Sequence, residues 1–416
     1  MKPDLKKIRH LFSGTDSLLK YIGPGLLVTV GFIDPGNWAA NLAAGSQFGY
    51  SLLWVVTLST LMLIVLQHNA AHLGIVTGMC HAEAATAFMP AWLSRPVLAS
   101  AMVAAVSTAL AEILGGAIAL NMLFHLPLRI GAVLCAGLAV WLLFGSSYKK
   151  LERVIVGFVS LIGLSFLAEL FLVKWNPAAA ASGAFVPSMP SGAMPLVMSV
   201  LGAVVMPHNL FLHSEVIQSR QWRQEGEPSM VRHLRFEIFD TFFSMVVGWA
   251  INGAMIILAA ATFFKTGIAV DSLDHAEEVL RPIAGRVSSF IFAFALLFSG
   301  IASSVTAGMA GGTIFAGLFG KSYDVRTRHT TSGIAVTIIA ALFVLFFVRN
   351  SFEALLISQM LLSIQLPITV CLQIYLTSSK KVMGKYANRP FELIALLLIA
   401  GIAIVLNVML LVSYIK

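Results

Sequence analysis

An aspartate stands inside an apolar run long enough to cross a bilayer. The stretch GFIDPGNWAA, residues 31–40, sets Asp34 beside two helix breakers, Pro35 and Gly36, with Asn37 next in line. Asp34 offers a hard anionic oxygen and Asn37 a neutral carbonyl oxygen. A second interruption, GAVVMPHNLFLHS at residues 202–214, puts Pro207 at mid-span between the thioether of Met206 and the imidazole of His208. A proline inside a helix lacks a backbone N–H and crowds the carbonyl four residues back. At membrane depth, freed backbone groups are tolerated only where they are buried in protein or line a cavity. Unwound backbone near Asp34 and Ala203 therefore offers further carbonyl oxygens. Oxygen ligands alone suit Mg2+ and Ca2+, whereas a thioether favours softer transition metals. A carboxylate in low dielectric also needs a cation or a proton as company. The set predicts a transient divalent-metal site made by Asp34, Asn37, Ala203 and Met206.

Other polar residues lie in apolar surroundings. Glu112, in STALAEILGG, and His208 are candidates for a proton relay with Asp34, since a histidine titrates near neutral pH. Hydrogen bonding between helices accounts for them equally well. Gln359 and Gln365, in ISQMLLSIQLP, complete a metal shell or bond to neighbouring helices. His213 and Asn407 are read as structural. His68 and His72 share a helix face, but two ligands without a third do not make a zinc site. Glu169, Glu215, Glu237 and Asp240 fall near span ends and are expected to be solvated or paired. Cys80, Cys135 and Cys371 form no disulfide framework and no cysteine-rich metal site.

The elements that must carry these groups are membrane helices. Of 416 residues 58% are hydrophobic and 11% charged, and the mean hydropathy is +0.88, against about 25% charged in a soluble domain. Eleven apolar stretches reach bilayer-crossing length, near 18–45, 50–74, 94–121, 128–146, 153–173, 194–218, 237–264, 284–318, 330–348, 353–377 and 391–414. No short apolar segment with a cleavage site marks a signal peptide. With the N-terminus in the cytoplasm, most of the 27 lysines and arginines fall on inner segments, and the acidic loop at 265–283 falls outside. The net charge of +8 is thus a topology signal. The basic residues are dispersed among loops, which argues against nucleic-acid binding.

Spans one and six, the two with breaks, each open a block of five. Five is odd, so span six enters from the side opposite to span one. That is the pattern of an inverted repeat in a secondary transporter, with cargo at the midplane between the breaks. The expected fold is all-α and membrane-integral, a single transporter domain over 1–416. Its first repeat covers 18–173, its second 194–377, and 391–414 forms an accessory helix.

DPGN in the first span and MPHN in the sixth resemble the two signature motifs of the Nramp family of proton-coupled divalent metal-ion transporters. The likeness extends to GPGLLVTVGFIDPGNWAANLAAGSQFGY, LGIVTG, LAEILGGAIALN and SQMLLSIQLP. It implies a LeuT-like 5+5 inverted repeat with broken helices 1 and 6. It implies coordination by Asp34, Asn37, Met206 and the Ala203 carbonyl, with Gln359 joining in some states. Mn2+ and Fe2+ are the implied ions, Cd2+ and similar ions being accepted too. Met206 argues against the Mg2+-transporting relatives. Ala109 replaces an aspartate frequent in the family three positions before Glu112, and Arg326 and Arg328 depart from the paired arginines of span nine. Both features belong to the proton route that the resemblance implies.

The expected function is import of divalent transition metal by alternating access, coupled to protons through Asp34, Glu112 and His208. The alternatives are an uncoupled metal uniporter and a transporter of the same fold carrying Mg2+ or an organic solute such as an amino acid. No filter or ring of like residues marks a channel. No nucleophile with a base marks an enzyme, and no cofactor is implied. The expected setting is the inner (plasma) membrane, as a monomer without an obligate protein partner, the C-terminus outside.

Overall fold

The computed structural model describes residues 34–145, 163, 166–220, 227–273 and 288–415. The regular elements among them are helical. They run α1 Pro35–Phe48, α2 Leu53–Thr77, α3 His81–Phe88, α4 Ala91–Phe124, α5 Leu128–Gly145, α6 Pro177–Phe185, α7 Met194–Val204 and α8 Pro207–Gln218. There follow α9 Glu227–Thr262, α10 Ser288–Leu318, α11 Arg328–Leu345, α12 Ser351–Ser378 and α13 Pro390–Ile415.

Among the described residues, nine stretches are long and apolar enough to cross a membrane, α7 and α8 counting together as one. They match expected spans two to four and six to eleven, with ends that differ by several residues. Expected spans one and five lie largely outside the described residues, α1 being the second half of the first. At 34 and 36 residues, α4 and α9 exceed the roughly 20 that a bilayer core needs, so their ends project beyond it.

The α7–α8 stretch is almost wholly enclosed by protein, whereas α5 and α13 turn most of their residues outward. Their outward side chains include Trp141, Leu138, Leu397 and Leu411. Apolar faces of this extent suit lipid rather than water. The interior order follows from the packing: α10 lies along α4, α7 along α12, and α1 touches α9, α7, α12 and α4. The two sequence breaks therefore fall in the middle of the bundle.

Interior polar side chains tie the helices together. Ser363 on α12 donates to the Met198 carbonyl of α7 at 2.6 Å, and Asn407 on α13 donates to the Ser363 carbonyl at 3.0 Å, which gives Asn407 its structural role. Gln365 donates to Ser100 of α4 at 3.1 Å and accepts from Thr369, so it takes the hydrogen-bonding role. The densest knot is at Asn69 of α2. Its Oδ1 accepts from Gln373 at 3.0 Å and Thr377 at 2.9 Å, and its Nδ2 donates to Asn388 at 2.8 Å. Interhelical hydrogen bonds in membrane proteins average well under 2 kcal/mol each, but Asn69 joins three partners. Asn69→Ala is expected to destabilise the bundle by about 1–3 kcal/mol, read as a lower melting temperature in detergent. An unchanged melting curve would refute the role given to this knot.

Candidate metal centre

Asp34 stands immediately before α1. Pro35 takes the first helical position, where its missing N–H is no loss. The Asp34 side chain caps the helix, its Oδ1 accepting from the Asn37 backbone N–H at 2.6 Å. A helix start favours a negative group, through its unsatisfied N–H donors and its dipole. The carboxylate is thus held by backbone, and among the described residues no lysine or arginine pairs with it. The chain before Asp34 lies outside the described residues.

Span six is interrupted as the sequence predicts. α7 ends at Val204 and α8 begins at Pro207, with Val205 at ψ 81° and Met206 at ψ 111° between them. The cause is local. In an unbroken helix the Ala203 carbonyl would accept from the N–H of residue 207, and proline has none. That carbonyl turns to α1 instead and accepts from Asn37 Nδ2 at 2.8 Å. The same amide nitrogen lies 3.3 Å from Asp34 Oδ2, while Asn37 Oδ1 has no partner among the described residues. A positively polarised group therefore sits between an anionic oxygen and a freed carbonyl, the position a cation would favour. Turning the amide over would offer Oδ1 in its place.

Two close approaches clamp this end of α1. A Cβ at Gly36 would meet Gln359 Nε2 of α12 at 1.9 Å, and a Cβ at Gly115 of α4 would meet the Pro35 Cβ at 2.1 Å. Gln359 donates to Ser358 Oγ at 3.2 Å, and its Oε1 has no partner among the described residues. Met206 caps α8, packs with Ala104 and Leu362, and accepts at Sδ from Asn209 Nδ2 at 3.2 Å. Asp34, Asn37, Ala203 and Gln359 have no exposed surface, and Met206 has 1%. The structure thus joins Asp34, Asn37 and Ala203 by direct contact, with Gln359 against Gly36 and Met206 three residues beyond Ala203.

Glu112 is fully buried on α4, its two oxygens without a hydrogen-bond partner among the described residues. The groups that act on it are the Asp34 carboxyl and the Ser303 hydroxyl of α10. His208 faces Thr108 of α4, with Nδ1 and Oγ1 3.2 Å apart. Thr108 and Glu112 are one turn apart, so α4 links the two candidate proton carriers. Ala109, on the same turn, is buried. Arg326 and Arg328 are exposed at the start of α11, and Arg326 pairs with Asp324 of its own loop at 3.1 Å. That guanidinium holds the Asp324 carboxyl below its usual range.

The remaining polar residues sort by packing. His68 Nδ1 meets Glu237 at 2.6 Å, His213 lies 3.6 Å from the same carboxylate, and His72 stacks on His68. Glu237 is thus paired as expected, and His68 and His72 have a structural use. Glu169 and Glu215 correct the expectation of solvated or paired span ends: both are buried, and each has an oxygen with no partner among the described residues. Thr108, Ser303 and Gly115 were not singled out in the sequence. Only the Gly115–Gly116 pair beside Glu112 gave a sign of close helix approach.

The comparisons with known proteins agree with this architecture. The chain superposes on an Eremococcus coleocola manganese transporter with a TM-score of 0.79 at 27% identity, over 95% of this chain and 87% of the other. Mhp1, a nucleobase-cation-symport-1 transporter, matches in fold alone, with a TM-score of 0.64 at 15% identity, over 92% of each chain. The class that fold and enclosed site define is a multi-pass membrane transporter of LeuT-like architecture, not an enzyme. Residues 25–413 match the family described as natural resistance-associated macrophage protein-like. Two relatives, each named divalent metal cation transporter MntH, come from Caldanaerobacter subterraneus subsp. tengcongensis and Brucella suis. The first is 35% identical over 97% of this chain and 96% of its own, the second 36% over 95% and 88%. The chain belongs to the Nramp family.

The assignment of the span-six break to Pro207 is testable. Pro207→Ala returns an N–H four residues after Ala203, so the helix is expected to close across 204–207. The new amide should then exchange slowly with solvent deuterium, and the melting temperature should rise. Rapid exchange there would show that another constraint holds the break open.

Proposed function

We propose that this chain is a secondary transporter that carries divalent transition-metal ions, chiefly Mn2+ and Fe2+, across the inner membrane by alternating access. The observation that carries the reading is the Asn37 amide nitrogen lodged between Asp34 Oδ2 and the Ala203 carbonyl. An ion entering there would find one full negative charge and otherwise neutral donors: the Ala203 carbonyl, Asn37 Oδ1, Gln359 Oε1 and the Met206 thioether. One charge with neutral partners suits a visiting ion, and the sulfur favours softer ions over Mg2+ and Ca2+. The relatives named divalent metal cation transporter MntH support the same cargo class. The two five-helix repeats, 18–173 and 194–377, would rock about this centre, and the N-terminus would lie in the cytoplasm. The protein would work as a monomer.

Asp34→Ala is expected to lower Mn2+ uptake into proteoliposomes at least 100-fold, whereas Met206→Ala should keep Mn2+ uptake and admit Ca2+ as a competitor. Normal uptake by a folded Asp34→Ala protein would remove the site.

Protons would move through Asp34, Glu112 and His208, the last reached along α4 by way of Thr108. An internal pH dye in the same liposomes reads this directly. Glu112→Gln should reduce acidification per Mn2+ taken up while uptake itself persists. Equal acidification by wild type and variant would exclude Glu112 from the route.

A further inference from the structure

A second cluster of metal-ligating atoms lies away from the centre just described. It sits where α3 follows α2 and where α8 ends. One Cys80 sulfur, one Glu83 carboxylate oxygen and one Glu215 carboxylate oxygen lie within 4.8 Å of one another, and all three residues are buried. Loop charges place this end of the bundle on the cytoplasmic side.

The scaffold positions two of the three ligands firmly. Glu83 sits in the first turn of α3, where its Oε2 accepts from the Cys80 backbone N–H at 2.9 Å. Its Oε1 accepts from Ser322 Oγ of the loop before α11 at 2.5 Å. Cys80 is the N-cap of α3 and has 1% of its surface exposed. Ser214, one residue before Glu215, accepts the His81 N–H at 3.0 Å and so fastens α8 to α3.

Glu215 is the observation that points to a ligand. It is 7% exposed, its carboxyl faces the Cys80 thiol, and its Oε2 is buried with no other hydrogen-bond partner among the described residues. Leaving a buried carboxylate oxygen unpartnered is costly, and two carboxylates close together repel when both are charged. A dication between them removes both penalties. The thiol narrows the choice of ion. Burial, with the nearby carboxylates, pushes Cys80 well above its usual range, so unaided it stays protonated. A metal displaces that proton to solvent as the sulfur binds. Thiolate with carboxylate favours borderline and soft dications over Mg2+ or Ca2+.

We propose that Cys80, Glu83 and Glu215 form a second metal site, specific for thiophilic dications of the Zn2+ and Cd2+ type, at the end of the bundle reached by α2, α3 and α8. The proposal is independent of the reading of Asp34. The two sites differ in chemistry, one holding a thioether and the other a thiol.

Cd2+ titration of the purified full-length protein tests it, read by the ultraviolet charge-transfer band of a cadmium thiolate and by calorimetric stoichiometry. The wild type should show the band. Cys80→Ser should lose the band and one equivalent of bound Cd2+, while Cys371→Ser, at an exposed cysteine, should keep both. Glu215→Gln keeps the sulfur and should weaken the band-forming affinity at least tenfold; it serves as the test if Cys80→Ser does not fold. Asp34→Ala should leave the band intact. No band in the wild type, a band that survives in Cys80→Ser, or unchanged affinity in Glu215→Gln would overturn the proposal. A band that persists in Asp34→Ala while uptake is lost separates the two sites. A band lost in Asp34→Ala would overturn the second site.

Discussion

A buried carboxylate without a basic partner among the described residues is the constraint around which the structure is arranged. Asp34 lies inside a bundle whose surroundings are protein and lipid, and moving a charge from water into such a medium is expensive. Nature's usual remedy, a lysine or arginine within reach, is absent among the described residues. The carboxylate is met by a helix start and by one amide side chain. These donors are neutral. They soften the cost of burying the charge and leave it available to a mobile cation or proton.

The rest of the bundle keeps that end of α1 in place. The Gln359 side chain of α12 lies against Gly36, where a larger residue would push it aside, and α4 approaches Pro35 so closely that only glycine fits at 115. In a lipid setting such approach is a source of helix association, because apolar side chains gain little by leaving hydrocarbon for protein. The interhelical bonds of Ser363 and Asn69 add direction to contacts that packing alone would leave free to slide. The same logic explains why the α7–α8 stretch is enclosed whereas α5 and α13 face outward. A broken helix carries unsatisfied backbone, and the core is where protein groups can meet it.

Much of this was legible from residue types. Pro207 beside the polar His208 and Asn209 pointed to the span-six break and the freed carbonyl at Ala203, although α4 and α12 run unbroken through Pro96 and Pro367. Apolar length fixed the spans that fall within the described residues, because the bilayer sets a minimum that few soluble helices reach. Contacts between distant segments were less legible. Nothing in the local sequence announces that Thr108 meets His208, since a threonine in an apolar helix also bonds comfortably to its own backbone. Glu215 was misjudged for a similar reason. A glutamate near a span end is ordinarily wetted, and here the packing of α2, α3 and α10 around α8 hides it. Cys80 was dismissed on a count of cysteines, although a mixed site needs one sulfur and draws its oxygens from elsewhere in the chain.

The two clusters make a contrast in charge that bears on what each can do. At the centre, one carboxylate faces a dication, so a bound ion would leave an uncompensated positive charge in an enclosed space. At about 4 Å, a unit charge pair is worth about 4 kcal/mol at an effective dielectric near 20. A second carboxyl on α4 that ionised as the ion arrived would recover energy of that order. Glu112, whose carboxyl interacts with that of Asp34, would serve in this way under the proposed function. Entry of metal and departure of a proton would then be one electrostatic event. The Cys80 cluster can present three negative ligands once its thiol ionises, one more than a dication needs, which favours retention over passage. Charge count separates the two sites: the under-compensated one suits a cargo that must leave, and the one with an excess of negative ligands suits an ion that stays.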